Sequence, residues 1–452
     1  MAAAFRRFAL VFLLLGIAAG QLFAQDAQPP QGGSPGLGFG MNLGIGVQSF
    51  NEAGASITYQ SLGLTPDVAF GQFGIGLAVT INYRFTGAGN SFEIRAADWV
   101  PTDFQNILEI YLPKIRYIRW GEKGDPLFIK FGSIDDATLG NGFIVGNYAN
   151  TLFLPGDRHF GMNIDLDGNL FKFPYVGIET IVGNLAVLDV LGARLYVRPL
   201  IGTQIPIVSN IELGATVAAD TQPYLYKAAS AAASAVTAFG VDVRLPVFFV
   251  KDVFSLVTFA DVASIPAQAD GRAWGGMLGV GGKLINFITY GAQLRVLGAN
   301  FIPVYFDATY DLFKAAKYDL VQAGGFSPLT MGWYASLGTS FLDDKIVLRL
   351  GMDGPFATTA TDPTLLYPHL RGIFTIADGI IPGLSFDFSY DKKAISTFAS
   401  LVSAADAAIQ AKLNYKTGPA IISFVYKLVY DQTHTPDPWV VTSGLESSIQ
   451  LF

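Results

Sequence analysis

The sequence predicts an all-β fold: a transmembrane, antiparallel, up-and-down β-barrel of roughly 18–22 strands. Three observations predict it. Only 14% of the residues are charged while 51% are hydrophobic, and the mean hydropathy is +0.40. Yet beyond the N-terminal segment no run reaches the roughly 18–20 unbroken apolar residues that a membrane-crossing helix needs. The hydrophobic residues alternate instead with small or polar ones, and the segments between alternating stretches are by turns long and short.

The chain opens with Arg6 and Arg7, then an apolar core from Phe8 to Gly20, then Leu22-Phe23-Ala24 with a small residue last. This order reads as a secretory signal peptide over residues 1–24. The competing reading is a retained anchor, for which the core is short. Residues 25–36 are rich in Gln, Pro and Gly and read as a loose segment. The barrel is expected from 37 to 452. The formal net charge of −7 becomes more acidic once Arg6 and Arg7 are removed, which argues against nucleic acid as a partner. There is no cysteine, so disulfides, thiolate metal sites and a cysteine nucleophile are excluded.

The first barrel stretch places Leu37, Phe39, Met41, Leu43, Ile45 and Val47 at alternate positions, separated by Gly, Asn and Gln. Phe73 to Phe85 repeats the pattern, with Arg84 on the polar parity. Leu384 to Asp391, Ile422 to Asp431 and Val304 to Leu312 do the same. A period of two puts each set on one face of a sheet. A secreted β-sandwich would alternate too, with its polar face outward. The membrane is favoured because large aromatics sit on the apolar parity at strand ends and the charges of the cleanest strands, as at Arg84, Arg349 and Lys427, fall on the other.

Loop lengths give a separate line of evidence. Read back from the C-terminus, Asp431–Pro438 is long and Thr417-Gly418 short. Lys392–Ala407 is long and Ala377–Pro382 short; Asp353–Leu365 is long and Asp343-Asp344 tight. Phe313–Thr330 is long and Gly298–Pro303 short. The rhythm then breaks, because Leu284–Asn286 is short where a long loop is due; either a strand is misassigned or an outer loop is clipped. Ala97–Asp103 and Gly140–Arg158 lack the period of two, so 97–158 is read as constriction loops or a small plug. Tyr224–Ala235 and Ser396–Ala408 read as short helices or mobile outer loops.

No residue pattern points to an enzyme or a cofactor. His159, His369 and His434 share no metal-ligand spacing. Asp165 and Asp167 share a face and could do acid/base or Ca²⁺ work, but the adjoining Gly168-Asn169 favours a hydrated strand end beside a turn. Gly279 to Lys283 lacks the first glycine and the Ser/Thr of a phosphate loop. No Ser/His/Asp constellation is visible. The basic residues Arg84, Lys114, Arg116, Lys130, Arg194, Arg198, Arg349 and Arg371 are the candidate lumen-lining set, since rings of Arg and Lys line anion pores. The plainer reading is ordinary hydrated charge balanced by Glu179, Glu212 and Asp242.

The signal peptide, the alternating aromatic strands and the terminal Phe452 resemble the bacterial outer-membrane β-barrel class, porin-like proteins in particular. The resemblance spans residues 37–452 and is architectural. It implies an outer-membrane location, contact with outer-membrane lipid, insertion by the barrel-assembly machinery, small solutes as cargo and assembly into homo-oligomers. Such proteins end in an aromatic preceded by apolar residues at alternate positions. Here Gln450, Ser448 and Glu446 hold those positions, and Leu445, Ile449 and Leu451 carry the apolar set instead. The long-chain fatty-acid transporter family has a plug before its barrel, for which the stretch before Leu37 is too short. The leading expectation is a porin-like channel for passive diffusion of small polar solutes. The alternatives are a transporter of hydrophobic substrates such as fatty acids, and a structural or adhesive surface barrel.

Overall fold

A computed structural model describes residues 37–450, apart from 53–54, 88–90, 153–157, 204, 206, 227–232, 252, 268–270, 286, 343–344, 404 and 431–438. The signal peptide, the segment 25–36, His434 and Phe452 lie outside the described residues. The elements come in chain order. The first strands are β1 (Leu37–Glu52), β2 (Ala55–Phe70), β3 (Phe73–Leu77), β4 (Val79–Thr86) and β5 (Ser91–Ile94). Helix α1 (Phe104–Tyr111) follows. The next strands are β6 (Ile115–Trp120), β7 (Leu127–Gly132), β8 (Gly161–Asp167), β9 (Val176–Val182), β10 (Val190–Val197) and β11 (Glu212–Asp220). They lead into β12 (Val236–Val250), β13 (Phe254–Ala267), β14 (Gly271–Leu284) and β15 (Ile288–Leu297). Helix α2 (Tyr310–Ala323) precedes β16 (Thr330–Phe341) and β17 (Ile346–Ala357). Helix α3 (Pro363–Leu366) precedes β18 (His369–Ile381) and β19 (Leu384–Lys392). Helix α4 (Phe398–Leu401) precedes β20 (Ala407–Thr417), β21 (Ala420–Tyr430) and β22 (Trp439–Gln450).

All strands belong to one 22-stranded antiparallel sheet. Strand β22 pairs with β1 from Asn42↔Gln450 to Ile45↔Ser447, so the pairings run round into a ring. Strand β2 pairs with both β3 and β4, which lie end to end; β4 pairs onward with β5 and β3 with β6. Strands β3 and β4 thus share one stave of the wall, and β5 and β6 another, giving twenty staves, an even number as membrane barrels have.

The two faces of the wall invert the rule for soluble proteins. Along β11, Glu212, Gly214, Thr216, Ala218 and Asp220 are buried while Leu213, Ala215 and Val217 are exposed. On β10, Arg194 and Tyr196 are buried while Leu195 and Val197 are exposed. The same outward apolar face recurs at Phe39 and Ile45, at Leu278 and Val280, at Leu294 and Val296, and at Phe424. A contiguous apolar surface of this kind needs a nonaqueous neighbour. Exposed aromatics line one rim at Phe39, Phe70, Phe73, Trp120, Phe249 and Phe341, and the opposite rim at Phe85, Phe92, Trp274 and Phe356. The first rim carries the tight turns at 382–383 and 418–419, where Gly383 and Gly418 take φ of +72° and +61°.

One sequence expectation is corrected. The alternation from Val304 to Leu312 is not a strand, and Gly298–Pro303 is not a short turn. Residues 298–329 form a single long connection at the opposite rim, containing α2. Tyr310, Asp311, Lys314, Tyr318 and Val321 are buried, a helical spacing. With that strand removed, the short connection from β14 to β15 falls where one belongs, and the loop rhythm holds through it. Ser396–Ala408 contains the one-turn helix α4 and the start of β20. Residues 133–152 contain no strand; they enter the ring.

Candidate functional site: the charged lumen

The inward face of β9–β13 carries a dense group of buried charges: Arg194, Glu212, Asp220, Asp242 and Asp261. Arg194 is fully buried at the centre of four strands. Its Nε and Nη2 donate to Asp242 at 2.8 and 2.6 Å, its Nη2 also donates to Glu212 at 2.9 Å, and its Nη1 to Glu179 at 3.2 Å. A two-point guanidinium–carboxylate contact of this sort fixes geometry as well as charge. Gly214 makes room for it: a Cβ there would lie 2.3 Å from Asp242 Oδ2. Arg198 donates to Glu212 at 3.1 Å and to Asp167 at 2.6 Å, and Tyr196 donates to the same Asp167 oxygen at 2.8 Å. Asp167 is therefore held by a cation and a phenol, while Asp165 lies 3.4 Å from Lys123. The two aspartates face different partners.

The segment 133–152 docks its tip onto this cluster. The Gly140 N–H donates to Glu179 at 2.9 Å, and Arg244 donates to the Gly140 carbonyl at 2.9 Å and to Asn141 Oδ1 at 3.0 Å. Asn141 Nδ2 donates to Asp261 at 2.7 Å. Gly140 has φ of +57°, and a Cβ on it would stand 2.8 Å from Arg194 Nε. Behind the tip, the segment joins 298–329. Val145 and Phe306 form a parallel bridge, with Val304 N–H donating to Phe143 O at 2.9 Å and Gly146 N–H to Phe306 O at 3.1 Å. Phe143 stacks on Phe301 with centroids 5.4 Å apart. These side chains share one buried cluster with Ala218, Ala238, Ala263 and Ala273 of the wall, whose small size leaves space for the inserted aromatics.

A second charged cluster pins α2. Lys314 Nζ lies 2.9 Å from Asp189 and 3.2 Å from Asp220. Tyr310 donates to Asp220 at 2.9 Å, and Tyr148 to Asp311 at 3.0 Å. His159 stacks on Tyr226 and sits 3.7 Å from Asp311. Burial works to lower the pKa of Lys314, but Asp189 and Asp220 outweigh it and hold the ammonium above its ordinary value. Burial raises the Asp311 carboxyl, against the pull of His159. At the same rim His369 bridges Asp353 at 3.2 Å and Asp391 at 2.9 Å.

The remaining basic candidates are dispersed round the wall. Arg84 pairs with Glu93 at 2.8 Å and Arg116 with Asp67; Lys130 pairs with Asp135 at 3.2 Å. Lys114 lies in a short turn after α1 and donates to the Asp98 carbonyl at 2.8 Å. Arg371 is half-buried, in register with Asp391. Arg349 differs from the rest: its side chain is 64% exposed and stands 3.7 Å from Asp136 of the inserted segment. Sequence reading missed the Gly140-Asn141 tip and the Lys314 cluster. The signal for the latter was present in the i, i+4, i+8 spacing of Tyr310, Lys314 and Tyr318, which the alternation just before it obscured. Among the described residues, no group of His, Asp and Glu is placed to hold a metal ion.

No family model and no curated relative matches this sequence. Among solved structures, the chain is similar to OpdL of Pseudomonas aeruginosa at 9% identity and a TM-score of 0.32, over 92% of this chain and 99% of that one. It is similar to OccAB1 of Acinetobacter baumannii at 8% identity and 0.31, over 92% and 96%. It is similar to the outer membrane protein OprD of Pseudomonas aeruginosa at 8% and 0.31, over 96% and 98%.

Proposed function

We propose that the protein is an outer-membrane channel, a barrel that lets small polar solutes diffuse through its lumen. The observation that carries this reading is the inverted burial of the wall, with Glu212, Thr216 and Asp220 turned in and Leu213 and Val217 turned out on a single strand. The tight-turn rim with its aromatic girdle is placed at the periplasmic side and the long connections at the cell surface. The inserted segments 133–152 and 298–329 narrow the passage. Arg194 and Arg198 are bound into the scaffold, whereas Arg349 faces the open lumen and is the basic residue best placed to meet a passing ion.

Purified protein reconstituted in planar bilayers tests the proposal. Stepwise conductance is expected, and Arg349→Glu is expected to shift selectivity toward cations. A barrel that inserts but never conducts would sink the channel reading.

A further inference from the structure

We infer that α1 is a lintel in the barrel wall: it completes the lipid-facing surface above the shortest strands and presents Phe104, Ile107 and Tyr111 to acyl chains. The inference rests on the membrane location proposed above.

The wall is uneven in height. Strands β1 and β2 have 16 residues each, but β6 and β7 have 6, β8 and β9 have 7, and β10 has 8. A strand needs roughly 9–11 residues to cross the hydrocarbon layer. On this side strands alone do not reach, and the second edge of β5 has no strand partner among the described residues.

The segment carrying α1 leaves the wall in the middle of its stave. The Arg95 N–H donates to Asn82 O at 2.8 Å, and the Ala78 N–H donates to Lys114 O at 2.8 Å, so exit and return lie side by side on the β3–β4 stave. At the far end of the helix, Gln105 donates to the carbonyl of Ala186 at 2.6 Å, in the turn between β9 and β10. The helix therefore reaches from the β5–β6 stave to β9, past the ends of β7 and β8. Eight residues of helix cover about 12 Å, and three strand spacings take about 14 Å.

A helix is the element that can do this in lipid, because it satisfies its own N–H and C=O groups where a loose chain cannot. Asp103 caps it by accepting from the Asn106 N–H at 2.8 Å. Phe104, Ile107 and Tyr111 are exposed at i, i+3 and i+7, along one side. Gln105 and Glu109 lie on another side and bond each other at 3.2 Å. The opposite orientation would put the Glu109 carboxylate in hydrocarbon, the arrangement membranes disfavour. The apolar side also continues the exposed Phe92 and Ile94 of β5.

The chain has no cysteine, so single labels are unambiguous. Phe104→Cys, Ile107→Cys and Gln105→Cys, with Leu213→Cys as the wall reference and Arg349→Cys as the lumen reference, would each carry bimane in phosphatidylcholine vesicles. Brominated acyl chains should quench labels at 104 and 107 as strongly as at 213 and at least about two-fold more than at 349, with iodide showing the reverse order and 105 grouping with 349. Quenching at 213 but not at 104 and 107 would overturn the lintel and leave the membrane reading standing. Absence of lipid quenching at 213 itself would overturn the membrane reading and the lintel with it.

Discussion

Lys314 Nζ and Asp189 Oδ2 meet at 2.9 Å although the residues are 125 positions apart in sequence, and each side chain is only 1% exposed. The contact ties the long 298–329 connection to the top of β10. Removing the cation would strand Asp189 and Asp220 without their counter-ion in a dry site. Lys314→Met is expected to destabilise the docking of α2 by about 3–5 kcal/mol. Faster amide exchange in 310–323, with the strands unaffected, is the measurement.

The same lysine predicts a response to alkali. Its folded-state pKa is raised above 10.5, so its contribution is complete below that value and is lost as pH climbs through the folded-state pKa. Burial also raises the phenols of Tyr148 and Tyr310, and a raised acid disfavours the folded state in the same direction as pH rises. Helix α2 should therefore loosen at strongly alkaline pH, seen as new protease cleavage between 298 and 329. The Lys314→Met protein should show a smaller change over the same range; an equal change in both would contradict the assignment to Lys314.

Gly140→Val tests the inserted tip. The positive φ costs a branched residue about 1–2 kcal/mol, and its Cβ would crowd the Arg194 guanidinium. Residues 133–152 should lose protection while the heat-dependent gel mobility of the barrel is retained. In planar bilayers, a larger or noisier conductance than that of the parent is expected.

Outward and inward faces should differ sharply in their tolerance of charge. Leu278 on β14 is 61% exposed on the outer face. Leu278→Arg is expected to cost about 2–4 kcal/mol of folding free energy in a bilayer, whereas Leu278→Phe should be nearly neutral. Urea titration in lipid vesicles measures both, and equal stability would place that face in water.

Much of the wall was readable because strand parity is a local property. Leu37 to Val47, Leu384 to Asp391 and Ile422 to Tyr430 each alternate within a single strand, and Phe73 to Phe85 runs through β3 and β4, which share one stave. The same locality explains the failure at 304–312. Val304 has a φ of +51° and the chain bends before Phe306, which alone bridges Val145, and Tyr310 already opens a helix whose buried face follows a different period. The charged network was less legible. Arg194 meets partners on β9, β11 and β12, and which parity faces which across strands depends on register, set by turns whose geometry one strand does not announce. The Gly140 tip depends on contacts more than a hundred residues away, such as Asn141 with Asp261.

The meeting of β22 with β1 also sets an order of events. Most other ladders join consecutive strands, so each can form as a hairpin soon after its second half is available; β2–β4 and β3–β6 instead skip over the strands between them. The ladder from Asn42↔Gln450 to Ile45↔Ser447 joins opposite ends of the chain and needs the largest loop closure of all. It spans four residue pairs among the described residues, against sixteen between β1 and β2. The last join to be made is thus also a shallow one, and a half-built sheet would expose two long unpaired edges until it forms. Zippering from one hairpin to the next, with a late and easily reopened seam between first and last strands, is the assembly route this topology imposes.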